Sequence, residues 1–169
     1  MADELKLRPA VMDDLDGLMA LYAYARQQMR QRGNVSQWVD GYPEREVIAE
    51  DIRQGYCYVF EDSLGICGVF AFIIGADPTY ALIEDGKWLN DEPYGTIHRI
   101  AGYGRAKGLL GRAVAFALGR IANVRCDTHA DNAVMRHLLE KLGFVRCGRI
   151  YTRGGAPRIA YHLIGKEQW

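Results

Sequence analysis

The segment RIAGYGRAKGLLGRAV, Arg99–Val114, places glycine at positions 102, 104, 108 and 111. Strand-like residues lead into it and a helix-like run leaves it, so the glycines fall where a strand turns into a helix. Glycine inside regular structure costs roughly 0.5–1 kcal/mol relative to alanine, so four together need a reason. A strand-to-helix turn leaves backbone N–H groups without partners, with the positive end of the helix dipole behind them. Glycine lets such a backbone approach an anion closely, and Arg105 and Lys107 add positive charge. That chemistry is a cradle for a diphosphate. Spacing excludes two familiar phosphate loops. Lys107 stands where the third glycine of G-x-G-x-x-G would fall, and no G-x-x-x-x-G-K-[ST] string occurs. The alternative is a glycine-rich turn that binds nothing.

A second group of chemistry-bearing residues lies between Gly75 and Tyr94. Asp77, Glu84, Asp85, Asp91 and Glu92 stand there against one cation, Lys87, with Tyr80, Trp88 and Tyr94 interleaved. A long connection of this kind is often functional, and an acidic surface with aromatic rings favours a cation. The alternative is a packed hairpin with a solvated acidic rim. The four cysteines, Cys57, Cys67, Cys126 and Cys147, form no C-x-x-C pair and sit in strand-like runs. Buried, reduced thiols are expected, and no metal site.

These residues need elements to hold them. ELKLRPA reads as a first strand, and Asp13 offers an N-cap before Leu15, Leu18, Met19, Tyr22, Ala25 and Met29, which share one helical face. Gly33 supplies the stop. Pro43 suits the first position of a second helix that Gly55 ends. YCYVF (56–60) and ICGVFAFII (66–74) form a hairpin, and Asp85-Gly86 predicts a small ribbon within ALIEDGKWL (81–89). GTIHRIA (95–101) is a strand, GLLGRAVAFALGRIA (108–122) a helix and VRCDTH (124–129) a strand. DNAVMRHLLEKLGF forms a helix capped near Asp131 and stopped by Gly143. FVRCGRIY and PRIAYHLI close the chain as a hairpin around Gly154-Gly155. The order is mixed α/β, with an antiparallel first half and one β-α-β unit in the middle.

A chain of 169 residues fits a single domain, 1–169, long enough to bury roughly 70% of its unfolded surface. Lys+Arg and Asp+Glu both count 21, so no global field argues for nucleic acid or a membrane surface. MADELKLRP lacks an apolar run after a basic start, and no 18 apolar residues run together, so a cytoplasmic protein is expected.

The glycine turn resembles the pyrophosphate loop of the GNAT superfamily of acetyl-CoA-dependent N-acetyltransferases, R/Q-x-x-G-x-G/A. Arg105 and Gly108 match it, while Leu110 occupies the last position and Gly111 comes one residue late. DNAVMRHLLEKLGF is similar to the family's N-x-x-A-x-x-L-Y-x-x-x-G-F segment, with Asn132, Leu138, Gly143 and Phe144 in place. GNVSQWVDGYP (33–43) and DGKWLNDEPYGTIHRIA (85–101) are similar to a bacterial branch of that superfamily. The resemblance covers nearly the whole chain. It implies a mostly antiparallel central sheet of about seven strands flanked by four helices and splayed at the coenzyme site. It also implies acetyl-CoA as co-substrate, held by Arg105, Ala106, Lys107, Gly108, Leu109, Leu110, Gly111 and Asn132. A homodimer is common in the family.

The implied reaction is direct transfer of acetyl from a thioester to an amine in a ternary complex. An alkylamine with a pKa of about 10.4 must lose a proton before it attacks, and the leaving thiolate benefits from a donor. The resemblance implies that backbone N–H groups of the strand before the glycine loop hold the thioester carbonyl and the pantetheine arm, and by position these belong to Ile100, Ala101 and Gly102. The tyrosine that donates the proton in many relatives is Leu139 here; Tyr103, His129 and Tyr94 are the nearby substitutes. His98, two residues before Ile100, is the candidate base, with Glu84 and Asp85 able to act through a water. The alternative for His98 is a hydrogen-bonded interior histidine. Trp38 and Tyr42 stand where relatives cover the acceptor, and with Glu84, Trp88 and Tyr94 they are the acceptor candidates: the acceptor is a small-molecule or peptide amine. Two rival functions remain. A catalytically silent acyl-CoA-binding or regulatory module would fit Leu110 and the absent tyrosine. Cysteine-dependent transfer through Cys126 and His129 fails on geometry, since residues three apart on a strand face opposite sides.

Overall fold

The computed structural model describes residues 4–35, 37–38 and 41–166, so Ser36, Val39 and Asp40 of the 33–43 stretch lie outside the described residues. The backbone clusters into two compact units. One holds the described residues up to Phe72 together with Arg99–Leu110; the other holds Ile73–His98 and the chain from Gly111 onward.

In the first unit, β1 (Lys6–Pro9) leads through a 3-10 turn (Met12–Asp14) into α1 (Leu15–Gln31). Leu15, Leu18, Leu21, Tyr22 and Ala25 of α1 are buried at helical spacing. They meet Ile48, Ala49 and Ile52 of α2 (Arg45–Arg53), Cys57 and Val59 of β2 (Cys57–Asp62) and Val69 of β3 (Gly65–Ile74) in one core. Burying each large aliphatic side chain of this set stabilises the fold by about 1.5–3 kcal/mol. Two boundaries differ from expectation. Asp13 does not cap α1; the neighbouring Asp14 carboxylate instead accepts the Val11 N–H and two bonds from Arg8. Pro43 does not open α2, which starts two residues later with Glu44 as its N-cap.

β4 (Gly95–Gly102), α3 (Leu109–Leu118) and β5 (Asn123–Thr128) form the β-α-β unit. α4 (Ala133–Lys141) and the hairpin of β6 (Val145–Tyr151) and β7 (Pro157–Ile164) complete the chain. The strands form one seven-stranded sheet in the order β1-β2-β3-β4-β5-β7-β6. The β1–β2, β2–β3, β5–β7 and β6–β7 pairs are antiparallel and β4–β5 is parallel. Among the described residues the parallel ladder covers only Gly95↔Val124 and Thr96↔Arg125, as a sheet opening between these strands requires.

The ribbon expected at Asp85-Gly86 does not form. Asp85 does take a left-handed conformation, φ +57°, but the segment pairs with β6 through a single antiparallel bridge, Glu84↔Arg149. A strand partner already present on the β6 edge wins over local hairpin closure. The cap of α4 is Asn132 rather than Asp131: its side-chain oxygen accepts the Met135 N–H at 3.1 Å. All four cysteines are buried and free. Among the described residues no helix is long and apolar enough to cross a membrane.

Candidate active site

The four glycines of the β4–α3 turn divide into three roles. Gly104 and Gly108 adopt φ of +86° and +73°, which side chains other than glycine rarely take, and nothing lies within 4 Å of the place where a Cβ would stand. The turn therefore offers bare, open backbone. Gly102 serves packing, because a Cβ there would meet Leu109 Cδ1 at 2.8 Å. Gly68 on β3 meets the same methyl, at 2.6 Å, so two glycines make the seat for Leu109. Gly111 lies inside α3, where a Cβ would make an ordinary 3.6 Å contact with Leu142.

Arg105 is exposed, but its guanidinium is already paired. Its Nε and NH2 donate to both oxygens of Asp62 at 2.7 and 2.9 Å, and NH2 also faces the carbonyls of Gly65 and Ile66. The hydrogen bonds to Asp62 hold the guanidinium pKa above its ordinary value. Arg105 is thus an anchor that ties the turn to the β2–β3 hairpin, and Lys107 is a second exposed cation of the turn. Leu110, the departure from the family pattern, is only 6% exposed; its side chain is buried and does not cover the turn. Tyr103 bonds through its N–H to the Cys67 carbonyl at 3.1 Å, and its ring packs 5.2 Å from that of Tyr24.

Upstream in the same unit the β4 backbone bends sharply. Arg99 has φ +50°, its carbonyl accepts from the Tyr22 hydroxyl at 2.6 Å, and its guanidinium is bidentate to Asp51 at 2.8 Å for both bonds. Of the acceptor candidates here, Trp38 is buried in the core against Tyr22, and Tyr42 holds its hydroxyl 3.5 Å from Arg99 NH1.

In the second unit His98 Nε2 lies 3.1 Å from Asp77 Oδ2, while Thr79 donates to Asp77 Oδ1 through both its N–H and its hydroxyl. The Asp77 N–H donates to the Tyr94 hydroxyl at 2.7 Å. Burial opposes the charge on Asp77, but the bonds from His98 and Thr79 outweigh it and bring its pKa down to about 2. In the neutral ring, with Nε2 donating to that carboxylate, Nδ1 carries the lone pair. Tyr80 packs beside His98 and donates to Asp127.

Three of the five acids of the stretch have close partners. Glu84 accepts from Tyr151, Asp85 from Arg149, and Asp77 from His98. Trp88 and Tyr94 are buried, and the Arg125 guanidinium stacks on both rings at 4.1 and 3.8 Å. A cleft of about 520 Å³ opens beside Asp85, with Arg146, Arg149, Arg158 and His129 in its wall. Its surroundings are basic rather than acidic.

The remaining candidates have structural partners. His129 Nδ1 accepts the Asp131 N–H at 3.0 Å, and His137 is exposed. His162 is fully buried, between the Leu89 N–H and Asn123 Oδ1. Burial drives the Cys126 thiol far above its ordinary pKa, which disfavours a nucleophilic thiolate. Leu139, at the place of the family tyrosine, is wholly buried. Sequence reasoning missed Asp77 as the partner of His98, placed Tyr22 on the α1 face without its bond to the Arg99 carbonyl, and did not single out Asp51. Asp51 stands 48 positions from Arg99, and only a tertiary contact reveals the pair.

A strand, an open glycine turn and a helix follow one another here, with Arg105 anchoring the turn, and comparison with known proteins places the fold. A model of the acetyltransferase (GNAT) domain matches residues 4–145, and the chain belongs to the GNAT acetyltransferase family. A GNAT-family acetyltransferase from Streptococcus agalactiae is 35% identical, with 96% of each chain covered and a TM-score of 0.85. A second, from Listeria monocytogenes, shares the fold at 20% identity, covering 95% of this chain and 94% of the other with a TM-score of 0.70. A structure of the NatC complex bound to Gag peptide and CoA also shares the fold, at 15% identity and a TM-score of 0.58, covering 96% of this chain and 99% of that one. None of the curated proteins compared with the chain matches it.

Proposed function

We propose that this protein is an N-acetyltransferase that moves an acetyl group from acetyl-CoA to a primary amine by direct attack in a ternary complex. The observation that carries the reading is the open turn at Gly104 and Gly108, whose bare backbone and following helix suit a diphosphate. Backbone N–H groups from Arg105 to Leu110 would hold that group, with Lys107 adding charge and Arg105 keeping the turn in shape. Ile100, Ala101 and Gly102 would hold the thioester and pantetheine arm. When bound, acetyl-CoA supplies the activated acetyl carbon. His98 takes the proton from the attacking ammonium, with Asp77 holding the ring so that the free nitrogen is the acceptor. Tyr103 is the proposed proton donor to the leaving thiolate.

Titration calorimetry with acetyl-CoA, on wild type and Gly108→Asp, tests the reading. Micromolar binding that the added carboxylate abolishes supports it, and thiol release across a panel of small amines and peptides then identifies the acceptor. No binding to a folded wild-type sample overturns it. Binding without turnover on any amine favours the silent acyl-CoA-binding module, for which the buried Leu139 in place of a tyrosine already speaks.

A further inference from the structure

Arg99 sits in the middle of β4 with φ +50°, a conformation that disfavours any long side chain. Such a residue persists only where its surroundings over-determine it, and such sites gather where geometry serves function. Two contacts over-determine this one. The Arg99 carbonyl is held by the Tyr22 hydroxyl of α1 at 2.6 Å, and the Arg99 side chain is held by the Asp51 carboxylate of α2 in a bidentate pair.

The consequence follows from peptide planarity. The Arg99 carbonyl and the Ile100 N–H belong to one trans peptide unit, so they point in opposite directions. Whatever fixes the carbonyl fixes the N–H. We propose that Tyr22, supported by the Asp51–Arg99 pair, is a positioning device that turns the 99–100 peptide and aims the Ile100 N–H at the thioester carbonyl oxygen. This rests on the coenzyme reading above and names residues that act on the reaction only through the backbone.

Packing alone does not call for these groups. The Tyr22 ring is 1% exposed and packs edge-on against Trp38 with centroids 5.6 Å apart, a contact that phenylalanine would make equally well. Its hydroxyl is spent entirely on one carbonyl, and burial raises the phenol's pKa well above the ordinary value, so it stays a donor. A buried ion pair is likewise a poor way to gain stability, because well-packed apolar residues do as well. What the pair and the hydroxyl supply together is a fixed peptide orientation. A donor fixed in advance costs no reorganisation when negative charge develops on the carbonyl oxygen as the amine attacks.

The test is Tyr22→Phe, which removes one oxygen. A crystal structure of the coenzyme-free variant is expected to show Arg99 back at negative φ with the 99–100 peptide rotated; retention of φ near +50° overturns the proposal. In kinetics, kcat is expected to fall by roughly 10²-fold, as when one oxyanion donor is lost, while KM for acetyl-CoA and affinity for CoA stay within a few-fold. Unchanged kcat overturns the role, and so does a fall in CoA affinity that matches the fall in kcat. Asp51→Asn keeps the side-chain shape and is expected to show the same split more weakly, which serves if Tyr22→Phe does not fold. If wild type binds neither acetyl-CoA nor CoA, the coenzyme reading fails and the aim of the N–H fails with it. The φ of Arg99 in the variant still answers separately whether Tyr22 holds the bend.

Discussion

His98 and Asp77 are 21 positions apart, yet their side chains meet at 3.1 Å with Thr79 completing the carboxylate's partners. A carboxylate with this many donors orients an imidazole rather than competing with it for protons, because its own pKa sits near 2. If His98 is the base, its loss removes a proton-transfer step: His98→Gln is expected to lower kcat by roughly 10²–10⁴-fold at unchanged acetyl-CoA affinity. Asp77→Asn is expected to lower kcat less. In the His98→Gln background the Asp77 change is expected to do nothing further, because two residues that act as one unit are not additive. Steady-state thiol release on the four proteins measures this cycle. Independent, additive losses would mean that Asp77 supports the fold and not the base.

The connection from Gly75 to Tyr94 shows what an element's context adds to its local chemistry. Asp85-Gly86 carries the right residues for a hairpin turn, and Asp85 does adopt left-handed geometry, but the preceding Glu84 bridges to Arg149 of β6 instead. Gly86 is there for close approach: a Cβ would fall 1.8 Å from the Cys147 carbonyl oxygen, and one on Gly148 would fall 2.5 Å from the Glu84 oxygen. Gly86→Ala is therefore expected to destabilise the protein by at least about 2 kcal/mol, the scale of overpacking, read from urea denaturation. Gly104→Ala, in open space, carries only the cost of its positive φ and is expected to be milder. The regular elements were legible because period and punctuation are local: the α1 face, the 56–74 hairpin and the glycine-closed helix ends all stand where spacing puts them. The open backbone of the β4–α3 turn was legible for the same reason. Arg105 as an anchor, Asp77 beside His98, and Tyr22 on the Arg99 carbonyl were not, since each joins residues 21 to 77 positions apart. No periodicity encodes such a pair.

At the scale of the whole molecule the charges balance at neutral pH, 21 basic against 21 acidic residues, and particular groups add their own pH dependence as acid removes that balance. Two of these groups act in separate pH windows, with Asp14 and Asp62, held down by Arg8 and Arg105, adding to the lower one. His162 is fully buried, and burial followed by the nearby Arg125 brings its pKa from 6.5 down to about 4. Between those values the unfolded chain binds the proton and the folded protein does not, so stability falls as the pH drops through that range. Asp77 moves from 3.8 to about 2, so its contribution is complete above 3.8 and is lost as the pH falls through 2. The urea midpoint plotted against pH is expected to descend in two steps. His162→Gln is expected to flatten the upper step and leave the lower; Asp77→Asn is expected to make the lower step shallower and leave the upper. The slopes, not the absolute midpoints, carry the result, because each substitution also removes hydrogen bonds at every pH. If both variants keep the wild-type slopes, the acid sensitivity lies elsewhere, and the Asp77 carboxylate is not the strongly bonded partner of His98 on which the proposed proton transfer depends.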